Sequence, residues 1–443
     1  MGNLFKLIPQ TSEVVQKIYD WHKRLGDAEP ERGYLGASII GHECDRFLWY
    51  NFRQCVSRDF SGRLYRLFET GDLAEPRFVK ELRGIGCTVH EVDAETGKQF
   101  EVTALGGHFS GHMDGVGQGI PGAPSTWHVL EFKTHNAKSF AKLQKDGVKK
   151  SKPQHHAQMQ VYMGLNKMKR ALYLAVNKDT DELYAERVRF DSTEYDRLMD
   201  RAERIIRSVN TPPRMADRPD DFRCRFCDAK ELCWGTSDVA VPLPNKSCRT
   251  CCHATPEIDD GETWARWSCA HHKRDLSPSE QQRACDSHLL LPGLVGFADV
   301  ADAGEDWIEF HNHSDGAVWR HSHGADGSTW TTDELMAAPG PLVGDSKLAQ
   351  VKATFDAQVV GFEVPNLPLL ARYDPADARR LWHGSPDDMA DIETTMRDAG
   401  ESVYAEPSGH EEDDEHLVVE WSHRIALVIY KAHNHAAIYE GVE

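Results

Sequence analysis

Two short stretches hold residues whose types and spacing could do chemistry. "SGHMDGV" at 110–116 carries Asp114, and "HVLEFKTH" at 128–135 carries Glu131 and Lys133 two residues apart. Alternation along a strand sends Glu131 and Lys133 to one face and Phe132 to the other, into a core. Asp114, at the end of a neighbouring strand, would complete a cluster of two carboxylates and one ammonium. Such a cluster suits phosphodiester hydrolysis. Carboxylates hold hard divalent cations, which neutralise a scissile phosphate and acidify water, and a lysine stabilises developing negative charge.

Further along, "QHHAQMQVYM" at 154–163 places Gln158 and Tyr162 four residues apart, on one face of a helix. The segment before it, 136–152, contains Lys138, Lys142, Lys145, Lys149, Lys150 and Lys152 against a single acid, Asp146. Such a run is often only a solvated face. Beside a phosphate-cutting site it would bind a nucleic-acid backbone.

Asp114, the Glu131-x-Lys133 strand and the Gln158/Tyr162 helix together resemble the RecB-like nucleases of the PD-(D/E)xK superfamily. The resemblance covers about residues 35–235. It implies an α/β fold, a restriction-endonuclease-like mixed sheet flanked by helices. It also implies Asp114, Glu131, Lys133, Gln158 and Tyr162 as catalytic residues and magnesium or manganese on Asp114 and Glu131. The family has a GxxxH element at an upstream helix start. Here "GDLAE" at 71–75 occupies that place, with Glu75 where the histidine usually stands. Glutamate is a hard oxygen ligand and suits the same metals.

Cys44 stands alone upstream in "CDRFLWY", and Cys224, Cys227 and Cys233 follow the nuclease segment as CxxCx5C. This pattern resembles the iron-sulphur subgroup of the family, which includes the AddB-type helicase-nucleases and the CRISPR-adaptation nucleases. It implies a 4Fe-4S cluster stapling the two ends of the domain together. Zinc is the rival occupant of four such thiols. Cys55 and Cys87 have no such partners and are expected to be core thiols.

In the second half, "CRTCC" at 248–252, "WSC" ending at Cys269 and "CDSH" at 285–288 have the paired-knuckle spacing of a structural zinc site. Cys248, Cys251, Cys269 and Cys285 are the first-choice ligands, with Cys252 and His288 as substitutes. His311, His313, His321 and His323 lie in a Gly/Asp-rich stretch and are expected as loop residues.

The elements that must position these residues read as mixed α/β. Helices are expected over 11–25, 41–54, 69–86, 153–166 and 192–209, and strands over 100–104, 107–116, 127–134, 171–178 and 183–190. The stretch 236–247 is the best linker. Beyond it come short strand-like pieces at 306–313 and 358–364, an acidic run at 411–415 and an apolar strand at 424–432. This gives three expected domains: a nuclease domain with its cysteine staple at 1–235, a zinc-binding-like module at 236–292, and an acidic α+β region of unknown role at 293–443.

The chain of 443 residues carries a net charge of -19, unevenly spread. Residues 1–235 hold 36 lysines and arginines against 33 acids, leaving 15 against 37 in the remainder. The first half is compatible with DNA and the second would repel it. No run of eighteen apolar residues occurs and the N-terminus has no signal-peptide pattern, so a cytoplasmic protein without a membrane span is expected. Eleven cysteines, an odd number without an export signal, point to metal-held thiolates rather than disulfides. The expected activity is that of a metal-dependent DNA exonuclease of phage or mobile-element type, acting on single-stranded or duplex ends in recombination or end processing. The acidic half would recruit a single-strand annealing or other recombination protein. An endonuclease on branched or foreign DNA is the enzymatic alternative, and a DNA-binding protein with a nuclease fold the non-enzymatic one.

Overall fold

The computed structural model describes residues 12–56, 60–259, 261, 263–324, 328–360, 373, 379–384, 389–402, 408–412, 416–422, 424–430 and 435–440. In chain order the elements as far as residue 235 are α1 (Glu13–Asp27), β1 (Leu35–Gly36), α2 (Asp45–Phe52), α3 (Gly62–Asp72), α4 (Glu75–Gly84), β2 (Thr88–His90), β3 (Glu101–Ala104), β4 (Phe109–His112), β5 (Gly115–Gln118), β6 (His128–His135), α5 (Ala137–Ser151), α6 (Pro153–Leu165), β7 (Arg170–Asn177), β8 (Leu183–Arg189), α7 (Ser192–Arg207) and α8 (Lys230–Trp234). Two compact units divide the chain, one of residues 19–361 and one of residues 1–18 with 362–443.

The central sheet of the larger unit has the order β2-β5-β6-β7-β8. Only β6 and β7 run parallel, because α5 and α6 form the crossover that a parallel pair needs. Strand alternation sorts the side chains. Leu130, Phe132, Leu172, Leu174 and Val176 pack with Phe78, Val79 and Leu82 of α4, and Phe132 stacks on Phe78 with ring centroids 5.1 Å apart. Val129, Ala171, Tyr173 and Ala175 join the larger core with Ala157, Val161 and Tyr162 of α6 and Leu198 and Ala202 of α7. Glu131 and Lys133 share the parity of this second set. Cys55 and Cys87 are core thiols, as expected.

Two expected elements divide where the site is built. The helix expected over 69–86 is two helices, α3 and α4, and Pro76 lies in the first turn of α4. Proline has no N–H to donate and disfavours helical geometry in the residue before it, so a new helix starts here. Glu75 thereby becomes the first residue of α4. The strand expected over 107–116 is also two. β4 belongs to a three-stranded sheet β1-β4-β3, whereas β5 belongs to the central sheet. Met113 and Asp114 bridge the crossing. Gly115 follows them with φ +154, and a Cβ there would come within 2.7 Å of the His90 carbonyl oxygen.

After residue 235 come two small antiparallel sheets. β9 (Ala254–Pro256), β10 (Trp267–Cys269) and β11 (Arg274–Leu276) form one, and β12 (Ala298–Ala303), β13 (Trp307–Asn312) and β14 (Val318–Ser322) the other. They belong to the same compact unit as the central sheet, and a pair of buried arginines shows how. Arg53 and Arg249 are each 1% exposed and lie 5.1 and 5.0 Å from the Trp267 ring centroid. Arg53 donates to the Arg249 and Ser208 carbonyls, while Arg249 donates to the Phe52 and Gly33 carbonyls and to Gln281. Burial lowers both guanidinium groups to about 10. Phe52 stacks on Trp267. Of the expected strand at 358–364, residues 358–360 are not strand and the rest lies outside the described residues.

The smaller unit contains an antiparallel five-stranded sheet of β15 (Arg379–Gly384), β16 (Gly409–Glu412), β17 (His416–Trp421), β18 (Ile425–Tyr430) and β19 (His435–Glu440), in the order β15-β19-β18-β17-β16. Helix Met389–Asp398 covers one face through Ile392 and Met396, against Val419, Leu427, Ile429 and Ile438. Part of the acidic run, 413–415, lies outside the described residues. Among the described residues no helix is long and apolar enough to cross a membrane.

Candidate active site

Asp114, Glu131 and Lys133 meet on the α6 side of the central sheet. The Lys133 ammonium lies 2.5 Å from Glu131 Oε1 and 3.8 Å from Asp114 Oδ2, and it donates to the Phe132 carbonyl at 2.9 Å. Asp114 Oδ2 accepts from the Phe132 N–H at 2.6 Å, which fixes the carboxylate against the strand that carries its two partners. Glu131 is fully buried, and apart from the Lys133 ammonium against Oε1 its carboxylate has no hydrogen-bond partner. A buried polar group in that condition is costly unless something further binds it.

The electrostatics show how crowded the site is. Burial first, and Asp114 and Glu75 beyond it, push the Glu131 carboxyl up to about 7 against the pull of Lys133. Glu75 is also raised to about 7, by burial, Asp114, Asp72 and Glu91. Asp72 is raised by burial and by the carboxylates of Glu29, Glu69 and Asp114. Burial alone would lower Lys133, but Glu131 and Asp114 outweigh it and raise the ammonium. Four carboxyl groups, those of Asp72, Glu75, Asp114 and Glu131, thus act around one lysine.

The Gln158 amide donates to the Tyr162 hydroxyl at 3.1 Å, so the two residues four apart on α6 do form a pair. Both are buried. Burial raises the Tyr162 hydroxyl, with Glu131 adding to the effect. Gly111 on β4 makes room for it, since a Cβ there would lie 2.7 Å from the hydroxyl oxygen.

Four residues of this face were not singled out from sequence. Asp72 stands three before Glu75 in the same "GDLAE" element. His135, His155 and Tyr173 form a second group, with the Tyr173 hydroxyl 2.8 Å from His135 Nε2 and 2.9 Å from His155 Nδ1. Burial lowers His135 to about 4 and His155 to about 3, with Lys133 adding to both. His135 lies two residues beyond Lys133 and His155 three before Gln158, and those spacings were the available signal.

Lys138, Lys142 and Lys145 follow helical spacing on α5 and share a face, while Lys149 and Lys150 lie beyond the non-helical Gly147. These five are exposed. Lys152 is half-buried and bonds the Ser139 hydroxyl.

Both sets of expected thiols converge. Cys44, which caps α2, lines one pocket with Cys224, Cys227 and Cys233. Burial raises Cys227 to about 11, and the other three thiols reinforce it. Cys248, Cys251, Cys269 and Cys285 line another pocket, of about 150 Å³. Here burial raises Cys248 to about 12, with its three neighbours contributing. His272 places Nε2 3.4 Å from the Cys285 sulphur. The two substitutes are engaged elsewhere. Cys252 donates to the Leu290 carbonyl, and His288 uses both ring nitrogens on Thr332, Ser247 and Thr250.

Of the four later histidines, His311 and His321 lie in strands rather than loops. His321 is a fully buried core residue that accepts from Leu290 N–H and meets the Trp330 carbonyl. His313 contacts Asp299.

Residues 53–234 match the PD-(D/E)XK nuclease superfamily. No protein of curated function matches the chain. Three solved structures are similar. An alkaline exonuclease (LHK-Exo) from Laribacter hongkongensis is 16% identical over 42% of this chain and 90% of that chain, with a TM-score of 0.29. LHK-Exo in complex with dAMP is 16% identical over 43% and 89%, with a TM-score of 0.28. SSO0001 is 15% identical over 51% and 98%, with a TM-score of 0.30. The buried Asp114, Glu131 and Lys133 cluster therefore lies inside the segment, 53–234, that matches the PD-(D/E)XK nuclease superfamily.

Proposed function

We propose that this protein is a magnesium- or manganese-dependent deoxyribonuclease, and an exonuclease that removes nucleotides from single-stranded or duplex DNA ends. The observation that carries this reading is the fully buried Glu131 carboxylate, one of four carboxyl groups gathered around the single Lys133 ammonium. That excess of negative charge fits a hard divalent cation, with Asp114, Glu131 and Glu75 as its ligands. When bound, such a cation neutralises the scissile phosphate and lowers the pKa of a water.

The chain's own residues supply the rest. The Phe132 N–H orients Asp114. Lys133, kept protonated by its two carboxylates, stabilises charge developing on the phosphate. Gln158 holds the Tyr162 hydroxyl beside Glu131, and the exposed lysines of α5 bind the strand backbone.

Around this centre we place a nuclease module at 1–235, a zinc-binding-like module at 236–292 and an acidic region at 293–443. The acidic region would dock a single-strand annealing or other recombination protein, in a cytoplasmic phage or mobile-element setting. Cys44, Cys224, Cys227 and Cys233 would hold a 4Fe-4S cluster. In support, these four thiols, drawn from both ends of the nuclease segment, line one pocket. Zinc on Cys248, Cys251, Cys269 and Cys285 requires those thiols to draw together.

The preference for ends rests on the resemblance to RecB-like nucleases. End-labelled single-stranded, duplex and circular DNA, each with magnesium or manganese, test it. Loss of linear substrates with circles spared is expected. Cutting of circles would overturn the exonuclease reading, and no cutting with either metal would overturn the nuclease.

A further inference from the structure

Away from the nuclease face, and at the edge of the pocket that His253 and His271 share with Cys248, Cys251, Cys269 and Cys285, three histidines converge on one aspartate oxygen. His271 Nδ1 lies 3.3 Å, His323 Nε2 3.6 Å and His253 Nε2 3.9 Å from Asp306 Oδ1. Among the described residues, His253, His271 and Asp306 are the one group of histidine, cysteine or acid side chains whose ligand atoms all lie within 4.8 Å of one another. We propose that His253, His271, His323 and Asp306 form a zinc site.

The separations fit. A tetrahedral zinc with bonds of about 2.0–2.1 Å to nitrogen and oxygen has ligand-to-ligand edges of about 3.4 Å, and the three distances to Asp306 bracket that value; His323 meets the spacing to Asp306 and completes the site by closing on the mutually close group of His253, His271 and Asp306. The polar accounting fits as well. His253 Nε2 and Asp306 Oδ1 are both buried atoms without a hydrogen-bond partner, and each points into the same small space. Unpaired buried polar atoms are rare, and two facing each other call for something between them.

The backbone holds the four residues on turns and strand ends. His253 directly precedes β9, and the Ala270 N–H donates to its carbonyl at 2.8 Å, tying it to the β10–β11 turn that carries His271. Asp306 sits in the β12–β13 turn, closed by the Gly304 N–H on the Trp307 carbonyl, and His323 follows β14. Two ligands therefore come from the cysteine-bearing sheet and two from the next one. Four protein ligands close the coordination sphere, so the metal is structural, and it cross-links the two small sheets.

The test uses the full-length protein loaded with zinc and freed of loose metal by gel filtration. Zinc per chain is measured for the wild type, Asp306→Asn and His271→Ala. Both variants are expected to retain one zinc fewer than the wild type. Cobalt is the second probe, because thiolate sites give intense charge-transfer absorption and a three-histidine, one-carboxylate site does not. The variants should lose only the weaker ligand-field contribution of the histidine site and keep the thiolate bands, which also shows that they are folded. Asp306 is 45% exposed and its Oδ1 makes no hydrogen bond, so the isosteric Asp306→Asn removes a ligand without removing a packing contact. Equal zinc content in the wild type and both variants would overturn the proposal. So would loss of thiolate bands alone.

Discussion

Glu131→Gln separates the two roles of that side chain, because it keeps the shape and removes the charge. The folded-state pKa of about 7 stands above an ordinary value of 4.5, so the folded protein holds a proton that the unfolded chain has already released between those pH values. Stability therefore falls as pH rises through that window, and the loss is complete above about pH 7. At 1.36 kcal/mol per pKa unit, the charged Glu131 costs the metal-free fold roughly 3 kcal/mol at pH 8 and nothing below about pH 4. Glutamine stands in for the protonated acid. In magnesium-free buffer at pH 8, Glu131→Gln should be more stable than the wild type by an amount of that order, and the difference should shrink toward zero at low pH. Urea unfolding at pH 5 and pH 8 measures it. The same variant should lose cleavage by about a thousandfold or more, since a lost ligand raises the barrier by several kcal/mol. A Glu131→Gln protein that is less stable than the wild type at pH 8, or whose stability difference ignores pH, would refute the electrostatic reasoning. Wild-type cleavage would refute the site.

Three further outcomes are expected. Cleavage at limiting magnesium should rise with pH through about 7, because Glu75 and Glu131 must both shed protons before they bind a cation; a flat profile between pH 6 and 8 would count against both as ligands. Replacing Lys138, Lys142 and Lys145 by alanine should weaken DNA binding at low salt and flatten its salt dependence by about two to three in log–log slope, while an unchanged slope would remove α5 from the DNA path. Anaerobically purified protein should be brown and Cys224→Ala colourless, whereas a colourless wild type containing only zinc would leave the four thiols with the other metal.

What was legible in the sequence was whatever depends on short periodicity. Alternation over 130–133 separates Phe132 from Glu131 and Lys133, and helical spacing pairs Gln158 with Tyr162, because neighbouring residues fix those directions. The CxxC spacings likewise mark thiols that line a common pocket. What failed was long-range or depended on a single residue. Pro76 splits one expected helix and thereby sets Glu75 at a helix start, although the apolar pattern runs on across it. Asp114 reads as part of a continuous strand, yet it stands where the chain passes from one sheet to another, and no local pattern records that crossing. His288 and Cys252 have ligand-like spacing but spend their polar atoms on Thr332, Ser247, Thr250 and Leu290. The cluster at His253, His271, Asp306 and His323 has no repeat in spacing, because each residue comes from a different turn or strand end.

The boundary at residue 235 shows the same limit with a consequence for experiment. Composition and charge change there, and sequence places a domain edge at that point. Yet the Arg249 guanidinium reaches back to the Phe52 and Gly33 carbonyls, and Trp267 is fully buried between Phe52, Arg53 and Arg249. A chain ending at Gly235 would leave Phe52 and the buried Arg53 side chain without that cover. Losing a buried tryptophan alone costs about 3–5 kcal/mol, a large share of the 5–15 kcal/mol that holds a typical domain together. The truncated chain should therefore be recovered mostly as insoluble protein, even though it keeps Asp114, Glu131, Lys133, Gln158 and Tyr162. A soluble, cooperatively unfolding chain of residues 1–235 would show instead that the arginine and tryptophan junction joins two parts that fold independently, and it would make the +3 charge of that part directly testable for DNA binding.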